Sequence, residues 1–190
     1  QLLNTCKLRE DGYWYDVIVF AIDTGVRHDG ELNRITPDEI DYGKKNMTFF
    51  RPKTGKWSTV PLTNRALEVV KRRREVALKN KDNRFFPVSK SSLRHNWDKY
   101  IKLSCLNDEY TPYSTRHTFI TRLVEADVSP KAVQHLAGHK SIETTLQYYT
   151  HSTNEVLENA ITKLEEYKKA KTKKAEVSSL IGHNSRKVLK

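Results

Sequence analysis

Three segments of the chain hold residue types that could do chemistry. The first is Thr24-Gly25-Val26-Arg27, followed closely by Glu31-Leu32. The second is Thr111-Pro112-Tyr113-Ser114-Thr115-Arg116-His117-Thr118-Phe119. The third runs from Leu136-Ala137-Gly138-His139-Lys140-Ser141 into Thr144-Thr145-Leu146-Gln147-Tyr148-Tyr149-Thr150-His151. Arg27 and Arg116 offer planar, permanently charged guanidiniums, which fit phosphate oxygens better than a lysine point charge does. Tyr148 and Tyr149 offer hydroxyls of the kind that serve as covalent nucleophiles. On a helix such neighbours point about 100° apart, so one can face a reacting centre while the other packs elsewhere. Taken singly, each residue has a plainer explanation: a surface ion pair for an arginine, a solvated turn for Lys53 or Lys56, core packing for a histidine. His135 and His139 are four apart, as in a zinc helix, but Leu136-Ala137-Gly138 lacks a metalloprotease glutamate and Gly138 ends the helix. No metal site is expected.

These residues need elements to position them. Residues 13–23 are almost wholly apolar and end in Thr24-Gly25, which reads as a buried helix. A second helix is expected over residues 26–34, stopped near Pro37. Residues 47–51 and 58–62 are β-rich and flank Pro52-Lys53-Thr54-Gly55-Lys56, a turn sequence, so a hairpin is expected there. Residues 64–79 read as a helix with Ala66, Leu67, Val69, Val70, Val76 and Ala77 on an apolar stripe, and Lys71-Arg72-Arg73-Arg74 as a solvated face. Ser91 or Ser92 is expected to cap a helix with Leu93, Trp97, Tyr100 and Ile101 at core spacing. Thr111-Pro112 and Ser129-Pro130 each look like a cap followed by proline at the first helical position, and Gly138 like a C-terminal stop. Two last helices are expected over 141–150 and 154–169, the latter with Val156, Leu157, Ala160, Ile161 and Leu164 on one face. The fold class is mainly α with a small antiparallel β-sheet, without internal repeats.

Charge points to the partner. The 190 residues hold 34 Lys and Arg against 23 Asp and Glu, a formal +11, and the isoelectric point is near 9.6. Such a balance suits a protein that meets nucleic acid. Residues 160–190 carry nine Lys and Arg against three Glu, which makes a basic arm on a mildly basic body. No apolar run approaches the ~20 residues of a membrane span. Cys6 and Cys105 are too few for a disulfide framework, so a reducing compartment is expected. The chain starts at Gln1 and its only methionine is Met47, as an excerpt of a longer protein would.

Together, the three segments resemble the catalytic domain of the tyrosine recombinases, the phage-integrase family, over residues 17–151. The resemblance implies a mainly helical catalytic domain that breaks a DNA phosphodiester by tyrosine attack. A 3′-phosphotyrosyl enzyme and a free 5′-hydroxyl result, and a second 5′-hydroxyl then reverses the step. It implies no cofactor. Arg27 and Arg116 correspond to the family's paired arginines, Lys53 to its mobile hairpin lysine that protonates the departing 5′-oxygen, and His139 to the histidine that bonds the scissile phosphate. Tyr148 lies nine positions after His139, the family's spacing, whereas counting back from Thr150-His151 would favour Tyr149. The first count is preferred because histidine and nucleophile share one phosphate. His117 is expected to pack or to support from behind.

Two positions depart from the pattern. Tyr113 stands where the family usually has histidine, and a tyrosine can bond phosphate but is a poor base near neutral pH. Gly30 occupies the place of an acidic residue, and Glu31 would restore the contact through a bulge or a shifted helix. The expected activity is site-specific DNA recombination, with a telomere resolvase, a type IB topoisomerase or a non-catalytic DNA-binding module as alternatives. The resemblance also implies a homotetramer on double-stranded DNA recombination sites, a monomer without DNA, possible accessory DNA-bending proteins, and a cytoplasmic setting in a bacterial or phage-infected cell. The expected domains are 1–151 as catalytic unit and 152–190 as a C-terminal helix and basic tail. The family's separate N-terminal core-binding domain does not precede Gln1.

Overall fold

The computed structural model describes residues 1–79, 81, 83–149, 158, 160–169, 171 and 172. It divides into two compact units, Gln1–Tyr148 and Tyr149–Lys190. In the second, the described residues 158, 160–169, 171 and 172 are helical and exposed, Ile161 and Leu164 among them. Val156 and Leu157 lie outside the described residues.

The first unit is arranged around α2 (Gly12–Thr24). Its cap, Asp11, accepts from the Trp14 N–H, and Gly25 ends it in the left-handed conformation at φ 62°. A Cβ at Gly25 would fall on the Phe119 ring, so this position requires glycine for both its angle and the close approach. Because α2 is apolar almost all round, it is covered on several sides: by α1 (Leu2–Leu8), by α3 (Asn64–Lys79) and by α5 (Ser114–Glu125). α4 (Lys90–Leu103) packs on α1 and buries Leu93, Trp97, Tyr100 and Ile101. Ser89 caps it by accepting from the Ser92 N–H, two residues ahead of the earliest expected cap.

Two buried carboxylates on α2 change the reading of the basic run on α3. Arg72 is bonded to Asp16, Arg73 approaches it within 3.7 Å, and Arg65 bonds Asp23. Arg73 also lies over the Tyr13 and Phe86 rings, at 4.5 and 5.5 Å. Within the run expected to be a solvated face, Arg72 and Arg73 therefore fasten α3 to α2, while Lys71 and Arg74 are exposed as expected. Val76, expected in the stripe, is 51% exposed.

The sheet is antiparallel in the order β1-β2-β3, formed by Ile40–Asp41, Asn46–Arg51 and Lys56–Pro61. Its register sets Met47 against Val60 and Arg51 against Lys56, so the hairpin loop is Pro52 to Gly55. Alternation along β2 turns Met47, Phe49 and Arg51 inward. The two-residue β1 was not expected from the sequence.

Three expected elements differ. Residues 26–34 form a turn followed by a 3₁₀ turn, Leu32–Arg34, because Gly25 and Gly30 (φ 85°) both leave the helical region. Thr111-Pro112 precedes its helix as a turn: the Thr111 N–H donates to Ser114 Oγ, and α5 starts at Ser114 with Tyr113 as cap. The expected helix over 141–150 is the four-residue α7 (Glu143–Leu146) tightening into a 3₁₀ turn, Gln147–Tyr149. By contrast α6 (Pro130–Ala137) has Ser129 as cap, Pro130 at its first position and Gly138 as left-handed stop, as expected.

Val70 is fully buried and Val76 half exposed on the same helix. In urea melts, Val70→Ala is expected to lower stability by about 2 kcal/mol. Val76→Ala should stay within about 0.5 kcal/mol. Equal losses would contradict the packing of α3.

Candidate active site

The C-terminal end of α6 is the meeting point. A helix leaves its last carbonyls without internal partners, and here arginines supply them. Arg27 Nη2 donates to the Gly138 carbonyl at 3.1 Å. Arg51 Nη1 and Nη2 donate to the Ala137 and Leu136 carbonyls at 3.0 and 2.8 Å. Arg116 Nη2 also bonds the Ala137 carbonyl, and its Nη1 donates to the Gly25 carbonyl at 2.6 Å. Gly138, at φ 66°, has no room for a side chain, since a Cβ would lie 2.7 Å from the Arg51 guanidinium.

One buried carboxylate, Glu31, balances this group. Its Oε1 accepts from Arg27 Nη1 at 2.6 Å, and its Oε2 accepts from the Arg27 N–H at 2.8 Å and from Arg51 at 3.4 Å. The non-helical turn over residues 28–31 brings Glu31 back onto Arg27, so the shift from Gly30 to Glu31 restores an acidic contact. Three guanidiniums against one carboxylate leave the cluster cationic by two charges. Burial pulls Arg51 down to about 10, with Arg116 and Arg27 pushing the same way and Glu31 opposing. Arg116 is lowered too, by burial first and Arg27 second, while Tyr113 and Glu31 oppose. The Nε atoms of Arg51 and Arg116 are buried without a partner.

Aromatic rings lie over the cluster. Tyr148 bonds His117 Nδ1 through its hydroxyl at 2.7 Å, and its ring stacks on His139 at 6.4 Å and 22°. Tyr113 stands edge-on to His117 at 4.8 Å and to His28 at 6.3 Å. His139 Nδ1 pairs with Thr145 Oγ1 at 2.8 Å. Burial and the nearby Arg116, Arg27, Arg51 and Lys53 hold His139 down at about 4. At neutral pH it is an uncharged imidazole, and the tautomer in which Nδ1 accepts from Thr145 carries its proton on Nε2 as a donor. Burial raises the Tyr148 hydroxyl, with Tyr113 adding and Arg116 opposing.

The sequence-expected residues thus converge: Arg27, Glu31, Tyr113, Arg116, His117, His139 and Tyr148 form one cluster. Lys53 lies beside it on the hairpin loop, in a cleft of about 410 Å³ also lined by Lys56, Lys131, His135, His139 and Lys140. Tyr149 belongs to the second unit. Three members were missed: Arg51, His28 and Thr145. For Arg51 the signal existed, since it shares the inward face of β2 with Met47 and Phe49. Among the described residues no group of three metal-ligating side chains occurs, and no helix is long and apolar enough to cross a membrane.

The sequence matches the phage integrase family over residues 1–155. The chain belongs to this family. A tyrosine recombinase of Agathobacter rectalis is 46% identical over 65 residues, 34% of this chain and 21% of the relative. A putative integrase/recombinase of Sinorhizobium fredii, y4eF, is 30% identical over 131 residues, 66% of this chain and 52% of the relative. The chain therefore matches about half or less of the length of these curated relatives. Among solved structures, the XerH site-specific recombinase bound to difH substrate superposes with a TM-score of 0.67 at 20% identity, covering 84% of this chain and 50% of that one. The catalytic domain of bacteriophage HP1 integrase gives 0.63 at 20% identity, covering 85% and 88%. These likenesses show the tyrosine recombinase catalytic-domain fold.

The lowered His139 has a consequence for stability. In the folded state it resists protonation, whereas an unfolded imidazole takes a proton near pH 6.5. Its contribution is therefore present above pH 6.5 and lost as pH falls from there towards 4. His139→Asn is expected to flatten the decline in stability between pH 6.5 and 5, read from urea melts at each pH. An unchanged slope would contradict the burial and charge argument.

Proposed function

We propose that this chain is the catalytic part of a site-specific DNA recombinase that cuts and rejoins duplex DNA through a 3′-phosphotyrosyl intermediate on Tyr148. The observation that carries this reading is a tyrosine hydroxyl set beside a largely buried cluster with two uncompensated positive charges. A DNA phosphodiester brings one negative charge, and its charge grows on the non-bridging oxygens as the tyrosine oxygen adds to phosphorus.

Arg27 and Arg116 bind those oxygens, a clamp whose loss commonly costs about 3–4 kcal/mol of barrier. His139 donates Nε2–H to the same phosphate, and Tyr113 supplies a further hydroxyl. Glu31 fixes Arg27, as the short contacts to its side chain and its own N–H support. Lys53 protonates the 5′-oxygen as the P–O5′ bond breaks, a role typically worth ~10²–10⁴ in rate. The phosphotyrosyl bond keeps the energy of the broken diester, so a partner 5′-hydroxyl can reverse the step without a cofactor.

The substrate is double-stranded DNA carrying recombination sites, bound as a homotetramer formed from monomers, with DNA-bending proteins as possible helpers, in a cytoplasmic setting. Solved relatives were captured on such DNA: the Tn1549 transposon integrase with transposon right end DNA and XerH with difH. Residues 1–151 are the catalytic domain. Residues 152–190, with their helix and basic end, dock on a neighbouring subunit.

A nicked suicide duplex tests the nucleophile. Tyr148→Phe should abolish the protein–DNA adduct on a denaturing gel and leave DNA binding nearly unchanged, whereas Tyr149→Phe should keep the adduct. Exchanged phenotypes would contradict the assignment. A 5′-bridging sulfur at the scissile position separates acid from clamp, because a thiolate leaves without protonation. It should restore cleavage to Lys53→Ala and fail to restore it to Arg116→Ala, and equal rescue of both would contradict the two roles.

A further inference from the structure

We propose that His117 is the base that takes the proton from the Tyr148 hydroxyl, the task left open by Tyr113. This rests on Tyr148 being the nucleophile. His117 Nδ1 lies 2.7 Å from the Tyr148 oxygen, within the reach of direct proton transfer, and the two rings are 5.7 Å apart. His117 is held in place by the edge-on ring of Tyr113 at 4.8 Å and follows Arg116 directly on α5.

Elimination supports the same choice. Tyr113 is a phenol, and a neutral phenol accepts a proton poorly near neutral pH. His139 faces Tyr148 ring to ring, has its Nδ1 committed to Thr145, and sits among four cations that make it a weak base. His28 touches Tyr113, one ring further away. Burial, and Arg116 after it, lower His117 as well, so it stands uncharged before the reaction. The charged and titratable groups facing it are Arg116 and Tyr113 on its own side and Tyr148 opposite, with His139 beyond. His117 is exposed on its remaining surface, so water can solvate the imidazolium once formed.

The step balances. The Tyr148 oxygen bonds phosphorus while its proton moves to His117 Nδ1. The P–O5′ bond breaks with its electron pair on the 5′-oxygen, which takes a proton from Lys53. On religation the attacking 5′-hydroxyl gives its proton back to Lys53, the phosphotyrosyl bond breaks, and the His117 imidazolium returns its proton to the departing Tyr148 oxygen.

The test uses the full 190-residue chain. A library of nicked duplexes with randomised sequence is first selected by covalent capture, and the captured site is then used in single-turnover cleavage across pH 5–9. His117→Gln is expected to slow adduct formation by about 10²–10⁴-fold and to remove the acidic inflection of the pH–rate profile. Added imidazole should restore part of the rate to His117→Ala, a rescue that a packing role would not give. Tyr113→Phe should keep the inflection. The proposal is overturned if His117→Gln retains the inflection with a rate within about threefold of the unsubstituted chain, or if Tyr113→Phe removes it. If the unsubstituted chain captures no duplex at all, the nucleophile reading falls and this one with it, an outcome distinct from a selective failure of the His117 variants.

Discussion

The last carbonyls of α6 and the three guanidiniums that bind them hold the site together. Leu136, Ala137 and Gly138 offer carbonyl oxygens at the negative end of a helix, where cations are favoured. Arg27 reaches them from the turn after α2, Arg51 from the end of β2, and Arg116 from α5. Three distant stretches of chain are thereby fixed to one point. Burying a guanidinium is expensive unless its donors are satisfied, and the carbonyls of Gly25, Leu136, Ala137 and Gly138 accept from all three. Glu31 offsets one charge only. The glycines at 25 and 138 follow from the same demand, one admitting the Phe119 ring of α5 and the other the Arg51 guanidinium.

A cationic cluster of this kind governs the protonation of everything around it. The imidazoles of His139 and His117 are both held below their ordinary range, so at neutral pH they stand uncharged beside the arginines. Neutral histidines can each donate from one nitrogen and accept at the other, whereas imidazoliums would only add positive charge and donate. Permanent charge and proton handling are thus assigned to different side-chain types within one small volume. In the proposed reaction, the arginines meet charge on the non-bridging oxygens while histidine and lysine move the protons of the attacking and leaving oxygens. Tyr113, 38% exposed, packs edge-on against His117 at the margin of the cluster.

Much of this was legible in the sequence, and the exceptions have identifiable causes. Helices with their own signals came through closely: α3 spans the expected residues, and α6 carries its serine cap, its proline and its glycine stop. That Arg27, Arg116, His117, His139 and Tyr148 would be worth following was also legible, because they lie in local strings. What failed were features set by tertiary partners. The turn over residues 28–31 replaced an expected helix because Glu31 folds back to Arg27, a contact that hydrophobic periodicity does not encode. The basic run on α3 read as solvated since its partners, Asp16 on α2 and the Tyr13 and Phe86 rings, lie elsewhere in the chain. Arg51 was passed over because an arginine on an inward strand face contradicts the usual apolar rule, although the alternation of β2 places it there. His117 was expected to support from behind, and only the fold brings it onto the Tyr148 hydroxyl.

The central claim is that the arginine cluster is an unfilled demand for a charged phosphate. Side-chain NMR of the chain labelled with ¹⁵N-arginine tests it most directly, using two captured-site duplexes that differ only at the scissile position, one a phosphodiester and the other a neutral methylphosphonate. The account predicts that the Arg116 Nε–H resonance, unpartnered and buried in the free protein, shifts strongly with the phosphodiester and stays near its free position with the methylphosphonate. The same shift with both duplexes, or none with either, would contradict it.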